Sequence, residues 1–133
     1  MTSKFLLGTY TRRASKGIYS VELNTETKTL ENIELVSEVG NPTYLDTNSD
    51  QSIIYTVVSE DGEGGLLSLV RNESGEYERK AIVLDEGKSP CYVALDEDRQ
   101  LVYTAYYHTG EVMVFKTDTE GHLELVDTVT HKG

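Results

Sequence analysis

Short apolar runs alternate with polar turns along the whole chain. The runs SIIYTVV (52–58) and LVYTAYY (101–107) are rich in β-branched and aromatic residues, and the polar stretches TNSDQ (47–51) and DEDRQ (96–100) precede them. Runs of this length between turn signals are typical of β-strands. The chain shows no helix-period pattern of apolar residues, so the sequence predicts an all-β fold.

The predicted strands belong to an internal repeat. Residues 40–85 align with residues 87–130, and the N-terminal part fits the same template without its first strand. A full unit has a short strand after proline, a second strand, a third after glycine and a fourth. Equivalent residues lie 48 positions apart: Pro42 and Pro90, Tyr44 and Tyr92, Tyr55 and Tyr103. Four-stranded units of about 40 to 50 residues predict the blades of a β-propeller.

The residue types within the strands fit a stack of blades. The second and third strands carry apolar or aromatic side chains on both faces, as in Leu101-Val102-Tyr103, which suits a sheet between two other sheets. The fourth strand carries charge at 76–80, which suits an outer edge. The repeated tyrosines are therefore predicted to pack in the core, and Cys91 is predicted to be a small buried side chain.

The number of blades is lower than a closed ring requires. Residues 4–39 supply three strands, and residues 41–85 and 89–130 supply four each, so the chain holds just under three blades. Propellers close with roughly 4 to 8 blades. We therefore expect a single partial propeller domain, the N-terminal part or a fragment of a larger protein. Its uncovered blade faces would pack against the remaining blades or cause self-association.

Charge and cysteine content narrow the possible partners. The chain has 12 Lys and Arg against 23 Asp and Glu, a net charge of −11, which disfavours nucleic acid and anionic membrane surfaces as partners.

Cys91 is the sole cysteine in the sequence, so no intrachain disulfide can form and a reducing compartment is indicated. No apolar run approaches the roughly 18 residues of a membrane span. We expect a cytoplasmic protein.

Several motifs in a fixed order resemble one family. GTYT (8–11), GIYSVEL (17–23), NPTYL (41–45), SPCYVALD (89–96) and YTAYYHTGEVMVF (103–115) are similar to segments of the lactonase family of seven-bladed propellers, which includes bacterial 6-phosphogluconolactonases. The resemblance implies hydrolysis of 6-phosphoglucono-1,5-lactone to 6-phosphogluconate in the pentose phosphate pathway, with no metal or organic cofactor. The intact protein would be the enzyme, and the 133 residues alone are expected to be inactive.

Candidate site residues lie in loops that a propeller gathers on one face, around its channel. Lactone hydrolysis needs a base for water and a donor for the oxyanion, and a phosphorylated substrate needs cations. The candidate catalytic residues are His131, Tyr107 and His108. The candidate substrate-binding residues are Tyr10, Arg12, Arg13, Lys16, Glu60 and Lys88. His131 is singled out by its position in the family, and no metal ligands are predicted.

Each candidate has an ordinary structural alternative. Loop charges such as Arg12 and Arg13 are commonly solvated, Glu60 begins an acidic turn, and His108 precedes Thr-Gly in a turn where an exposed histidine is common. Two positions also depart from the family pattern: Tyr106-Tyr107 stands where many members have Asn-Tyr, and Val58-Ser59 where they have Asn-Glu. The competing function is a non-catalytic propeller that serves as a scaffold or binds a metabolite, since propellers commonly serve as scaffolds.

Overall fold

The structure, a computed structural model, describes residues 2–87 and 89–131. Every regular element in these ranges is a β-strand, and the strands form three sheets. The first sheet contains β1 (Thr2–Leu7), β2 (Gly17–Asn24) and β3 (Thr29–Glu38). The second contains β4 (Leu45–Thr47), β5 (Ile53–Glu60), β6 (Glu63–Arg71) and β7 (Tyr77–Glu86). The third contains β8 (Tyr92–Asp96), β9 (Leu101–Tyr106), β10 (Glu111–Lys116) and β11 (Glu124–Thr130).

Each sheet is an antiparallel meander. The strands pair in chain order, from β1 to β3, β4 to β7 and β8 to β11, and each pairs antiparallel with its neighbour. Sheets of this kind, built from successive segments and packed face to face, are the blades of a β-propeller. The predicted all-β propeller fold is confirmed, including a first blade that lacks its innermost strand.

The second sheet is the centre of the molecule because both of its faces are covered. Residues 53–58 of β5 and 64–69 of β6 are all buried. Successive side chains on a strand point to opposite faces, so Tyr55 and Val57 join a cluster with Phe115 of the third sheet, while Ile54 and Val58 join one with Ile18 of the first. Both faces of these strands are apolar because each packs against a neighbouring sheet, as predicted.

Polar bonds also join the second and third sheets. The Asp46 carboxylate accepts a hydrogen bond from the Leu95 amide at 2.9 Å. The buried hydroxyls of Tyr55 and Thr117 lie 2.7 Å apart, in hydrogen-bond contact. Each bond joins a residue of the second sheet to one in or next to the third, so the two bonds help to fix the relative position of these blades.

Three predictions of burial were wrong. Tyr44 and Tyr92, predicted in the core, are 42% and 44% exposed, and their ring centroids lie 4.8 Å apart. Tyr55 is buried and Tyr103 is half-buried, as core packing requires. Cys91 is exposed. All three exceptions lie at or directly before the first residue of the innermost strand of a sheet, β4 or β8.

None of the elements in the described ranges is a helix that could cross a membrane.

Candidate functional site

Loops from all three sheets meet around one cavity of about 520 Å³. The β1–β2, β3–β4 and β7–β8 loops, the end of β5 and the β9–β10 turn all contribute lining residues. The lining residues are Tyr10, Arg12, Asn41, Thr43, Ser59, Gly87, Ser89, Pro90, Cys91, Tyr107 and His108. The cavity thus brings together four of the candidates, which are up to 98 positions apart in sequence (10 to 108).

The β1–β2 loop supplies an aromatic ring and a cation. The Arg12 guanidinium carbon lies 5.6 Å from the centroid of the Tyr10 ring, a distance typical of a cation–π contact. Tyr10 is 67% exposed. Among the residues that the structure describes, no carboxylate forms an ion pair with Arg12, so its charge is available to an anionic ligand.

The β9–β10 turn supplies two further rings. The centroids of Tyr107 and His108 lie 5.1 Å apart, with an interplanar angle of 77°. Tyr107 is 81% exposed and lines the cavity. The turn closes with a bond from the Gly110 amide to the Tyr106 carbonyl at 3.0 Å, and Gly110 has a φ of 71°, which glycine adopts without strain.

The remaining candidates occupy other positions. His131 is exposed, and its amide donates to the Gly110 carbonyl at 2.7 Å, so its backbone adjoins the Tyr107–His108 turn although it does not line the cavity. Arg13 is exposed on the same loop as Arg12, outside the cavity lining. Lys88 lies outside the described residues.

Glu60 and Lys16 lie at a second cavity of about 660 Å³, which Arg79 also lines. The Glu60 carboxylate accepts hydrogen bonds from Arg79 at 2.7 and 2.9 Å and from the Gly40 amide at 3.0 Å. The bond from Arg79 is the main reason that the pKa of Glu60 is lowered, and the same bond raises the pKa of Arg79. Glu60 is therefore held by protein groups rather than directed into the first cavity.

Asn41 anchors the loop that carries Tyr10 and Arg12. Its side-chain oxygen accepts a hydrogen bond from the Thr11 amide at 2.9 Å, and the Asn41 amide donates to the Thr11 hydroxyl at 3.0 Å. We did not predict a role for Asn41 or Arg79. The sequence does contain a signal for Asn41, since Asn before Pro marks a turn. The sequence pattern indicates for Arg79 only a charged position on an outer strand.

An exposed cluster on the β10–β11 turn resembles a set of metal ligands. Single ligand atoms of Asp118, Glu120 and His122 lie within 4.8 Å of one another. Internal bonds account for the arrangement: His122 Nδ1 lies 2.8 Å from Asp118 Oδ2, and this contact is the main cause of the lowered pKa of Asp118. The cluster is on another turn from the one that forms the cavity.

The first cavity combines the chemical groups that an anionic cyclic ligand requires. Arg12 can pair with an anion, Tyr10 and Tyr107 offer rings and hydroxyl donors, and the His108 imidazole can accept or donate a proton. The blades that position these groups define the class of protein, a β-propeller with a cavity between the loops of its blades.

Comparison with known proteins identifies the family. A sequence model described as "Lactonase, 7-bladed beta-propeller" matches residues 4–133. The chain is 42% identical to the 6-phosphogluconolactonase of Bacillus subtilis over 129 residues, which are 96% of the chain and 37% of that protein. The chain belongs to the lactonase family of seven-bladed β-propellers, and the resemblance seen in its motifs is confirmed.

The chain also resembles solved structures. The crystal structure of a protein from Lactobacillus plantarum matches with a TM-score of 0.91 and 42% identity, over 100% of the chain and 38% of that protein. The periplasmic gluconolactonase PpgL of Pseudomonas aeruginosa matches with a TM-score of 0.84 and 25% identity, over 98% of the chain and 39% of that protein. The chain thus spans less than two-fifths of the length of these relatives.

Proposed function

We propose that these residues form part of a lactone hydrolase whose substrate is an anionic sugar lactone, 6-phosphoglucono-1,5-lactone. The observation that carries the proposal is the cavity itself: in a chain of net charge −11, Arg12 has no acidic partner among the described residues and lines the same cavity as Tyr107 and His108. The Bacillus subtilis relative, named 6-phosphogluconolactonase, supports the choice of substrate. The activity is proposed for the full-length protein.

The proposed reaction uses protein side chains and water. His108 takes a proton from a water molecule that attacks the lactone carbonyl carbon, and Tyr107 donates a hydrogen bond to the oxyanion that forms. The bond between the carbonyl carbon and the ring oxygen then breaks, the protonated His108 returns its proton to the ring oxygen, and the open-chain acid results. His131 is the alternative base, because its backbone adjoins the turn that carries His108.

Cations bind the phosphate group in this proposal. Arg12 is the principal ligand because it lines the cavity, and a guanidinium binds phosphate through paired hydrogen bonds. Arg13 and Lys16 lie on the same loop, and Lys88 precedes the cavity residues Ser89 and Pro90 in sequence. These three residues would add to the positive potential near the substrate.

The proposal includes a cellular setting. Hydrolysis of 6-phosphoglucono-1,5-lactone is a step of the pentose phosphate pathway, and we propose the cytoplasm as the location. The exposed thiol of Cys91 at the cavity suits a reducing compartment.

Further blades of the same protein are the proposed partners of the two outer sheets. The first sheet exposes Phe5 and Ile33, and the third exposes Val126 and Val129. Exposed apolar side chains on a sheet face favour packing against another surface. The greater length of the relatives supports further blades as that surface.

A coupled assay tests the proposed reaction. Full-length protein is added to freshly generated 6-phosphoglucono-1,5-lactone, and 6-phosphogluconate is measured with its NADP-dependent dehydrogenase, with spontaneous hydrolysis subtracted. We expect turnover well above the spontaneous rate. A rate equal to the spontaneous one would overturn the proposal, and binding of 6-phosphogluconate without turnover would favour a metabolite-binding propeller instead.

A further inference from the structure

Thr11 and Asn41 form a reciprocal pair of hydrogen bonds between two blades. The Asn41 side-chain oxygen accepts from the Thr11 amide at 2.9 Å, and the Thr11 hydroxyl accepts from the Asn41 amide at 3.0 Å. Each side chain therefore satisfies the backbone of the other residue. Because the two bonds join different pairs of atoms, they restrain the orientation of the loop as well as its distance from Asn41.

Asn41 is itself held firmly on the second blade. Its φ of 46° lies in the left-handed region, which asparagine tolerates better than most residues, and Pro42 follows it. The preceding residue, Gly40, exchanges bonds with the end of β5: its carbonyl accepts from the Ser59 amide at 2.8 Å, and its amide donates to Glu60 at 3.0 Å. The anchor is thus part of the sheet framework rather than a mobile loop.

Thr11 stands between the two loop residues that line the first cavity, Tyr10 and Arg12. The base of this loop is tied separately, since the Thr9 hydroxyl donates to the Gly17 carbonyl at 2.6 Å and the Ser15 hydroxyl donates to Thr9 at 2.5 Å. The base is therefore fixed without Asn41. Asn41 holds the tip, where the cation and the exposed ring are.

We propose that Asn41 is a positioning residue, which sets Arg12 and Tyr10 for the anionic end of the substrate through its bonds to Thr11. The proposal rests on the proposed function of the cavity. Asn41 lies on the next blade, so it also couples the position of the cation to the blade that carries Ser59 and Thr43 of the same cavity.

Substitutions in the full-length protein distinguish the effect of the side-chain hydrogen bonds from the effect of the backbone conformation. Asn41→Gly keeps a residue that adopts positive φ freely and removes the whole side chain, including the amide group that accepts the Thr11 bond. Thr11→Val removes the hydroxyl and keeps a β-branched side chain, whereas Thr11→Ser keeps the hydroxyl. Asn48→Gly is the matched control, because the Asn48 side-chain oxygen also accepts a backbone bond, from Ile53 at 2.9 Å, away from the first cavity.

Amide hydrogen exchange gives a readout that does not depend on turnover. We expect the Thr11 amide to exchange at least about tenfold faster in Asn41→Gly, because its acceptor is lost. The rate should stay within about twofold of wild type in Asn48→Gly and Thr11→Ser. An unchanged Thr11 rate in Asn41→Gly would overturn the proposal.

Kinetics give the functional readout. We expect Asn41→Gly to raise the KM for 6-phosphoglucono-1,5-lactone about tenfold with kcat within about twofold, Thr11→Val to raise it less, and Thr11→Ser to restore wild-type values. Faster exchange with an unchanged KM would overturn positioning while the lactonase proposal stands. An equal rise in KM in Asn41→Gly and Asn48→Gly would mean that Asn41 has only a general structural role, and it would also overturn the positioning proposal.

Failure of the proposed function is distinguishable from failure of this inference. If wild-type protein does not hydrolyse the lactone, the proposed function fails, and the Kd for 6-phosphogluconate replaces KM in the same comparison. A Kd about tenfold weaker in Asn41→Gly alone would support positioning. Absence of any binding of this anion by the wild type would overturn both proposals.

Discussion

Arg79 and Glu60 form a two-bonded ion pair within the second sheet, and Arg79 also bonds to the first sheet. The Arg79 guanidinium donates to both carboxylate oxygens of Glu60, at 2.9 and 2.7 Å, and also to the carbonyl of Glu38 in the first sheet at 3.1 Å. Glu60 in turn accepts from the Gly40 amide. The pair therefore fastens the end of the first sheet to the second, directly beside Asn41.

This ion pair gives stability a specific dependence on pH. The folded-state pKa of Glu60 lies below its ordinary value of 4.5, chiefly through the bond from Arg79. The stabilisation is therefore fully present above that ordinary value and is lost as the pH falls through the lower folded value. We expect Glu60→Gln to lower the free energy of unfolding by about 1 kcal/mol at neutral pH, since the pair is partly exposed.

Urea unfolding of the full-length protein across the acidic range measures the effect. The difference between wild type and Glu60→Gln should shrink as the solution becomes more acidic. Glu73→Gln, on an exposed turn of the same sheet, is the control for removal of one negative charge. An equal, pH-independent loss in both variants would contradict this account.

Arg12 and its neighbour Arg13 offer a matched comparison of two arginines. Arg12 lines the cavity and Arg13 does not. We expect Arg12→Ala to raise the KM for the phosphorylated lactone about 10- to 100-fold, since a charge-assisted contact to phosphate is lost, and Arg13→Ala to change it less than about threefold. Steady-state kinetics with glucono-1,5-lactone, which lacks the phosphate, should show little difference between the variants. Equal effects of both substitutions would point to general electrostatic attraction instead.

His108 is the histidine whose substitution should reduce the chemical step. We expect His108→Gln to lower kcat about 100-fold or more with a smaller change in KM, because the general base is removed. His122→Gln, on the exposed β10–β11 turn, is the control. An unchanged kcat in His108→Gln together with a loss in His131→Gln would move the role of base to His131.

The repeat and the fold were predictable because their causes are local. Alternating apolar runs, turn residues and the 48-residue spacing of Tyr55 and Tyr103 specify strands and their order without knowledge of distant contacts. The exposure of Tyr44 and Tyr92 was not predictable in this way, since it depends on how much protein lies against the start of each innermost strand. Identical repeat positions in a sequence do not reveal how much protein covers them.

The candidate site was predictable in part for the same reason. Propeller topology places the turns that carry Tyr10 and Tyr107 on one face, and the structure brings both to one cavity. The supporting bonds were missed because they join residues 30 positions apart, as in Thr11 and Asn41, or 19 apart, as in Glu60 and Arg79. The first pair depends on how two blades pack and the second on side-chain contact within one sheet, and the residue pattern alone specifies neither.

The buried pair of Tyr55 and Thr117 should contribute to stability through its hydrogen bond. Tyr55→Phe leaves the Thr117 hydroxyl buried without its partner, so we expect a loss of about 1 to 2 kcal/mol in the free energy of unfolding. The double variant Tyr55→Phe with Thr117→Val removes both polar groups and should recover much of the loss. Tyr103→Phe, at the equivalent repeat position and half-buried, is the control.

A double-mutant cycle from denaturant unfolding checks this expectation. Additive losses in the two single variants, with no recovery in the double variant, would show that the two hydroxyls do not act as a pair.

The outer sheets should make the isolated 133-residue chain associate. Phe5 and Ile33 on the first sheet and Val126 and Val129 on the third are exposed apolar side chains, and burial of such surface favours contact between copies when no further blade covers it. We expect sedimentation velocity to show concentration-dependent oligomers of the isolated chain, without lactonase activity, and a single species of the full-length protein. Ile33→Ser with Val129→Ser should reduce this association, whereas Thr25→Ser, on an exposed turn, should not. A stable monomer of the isolated chain at all concentrations would mean that these faces need no covering blade.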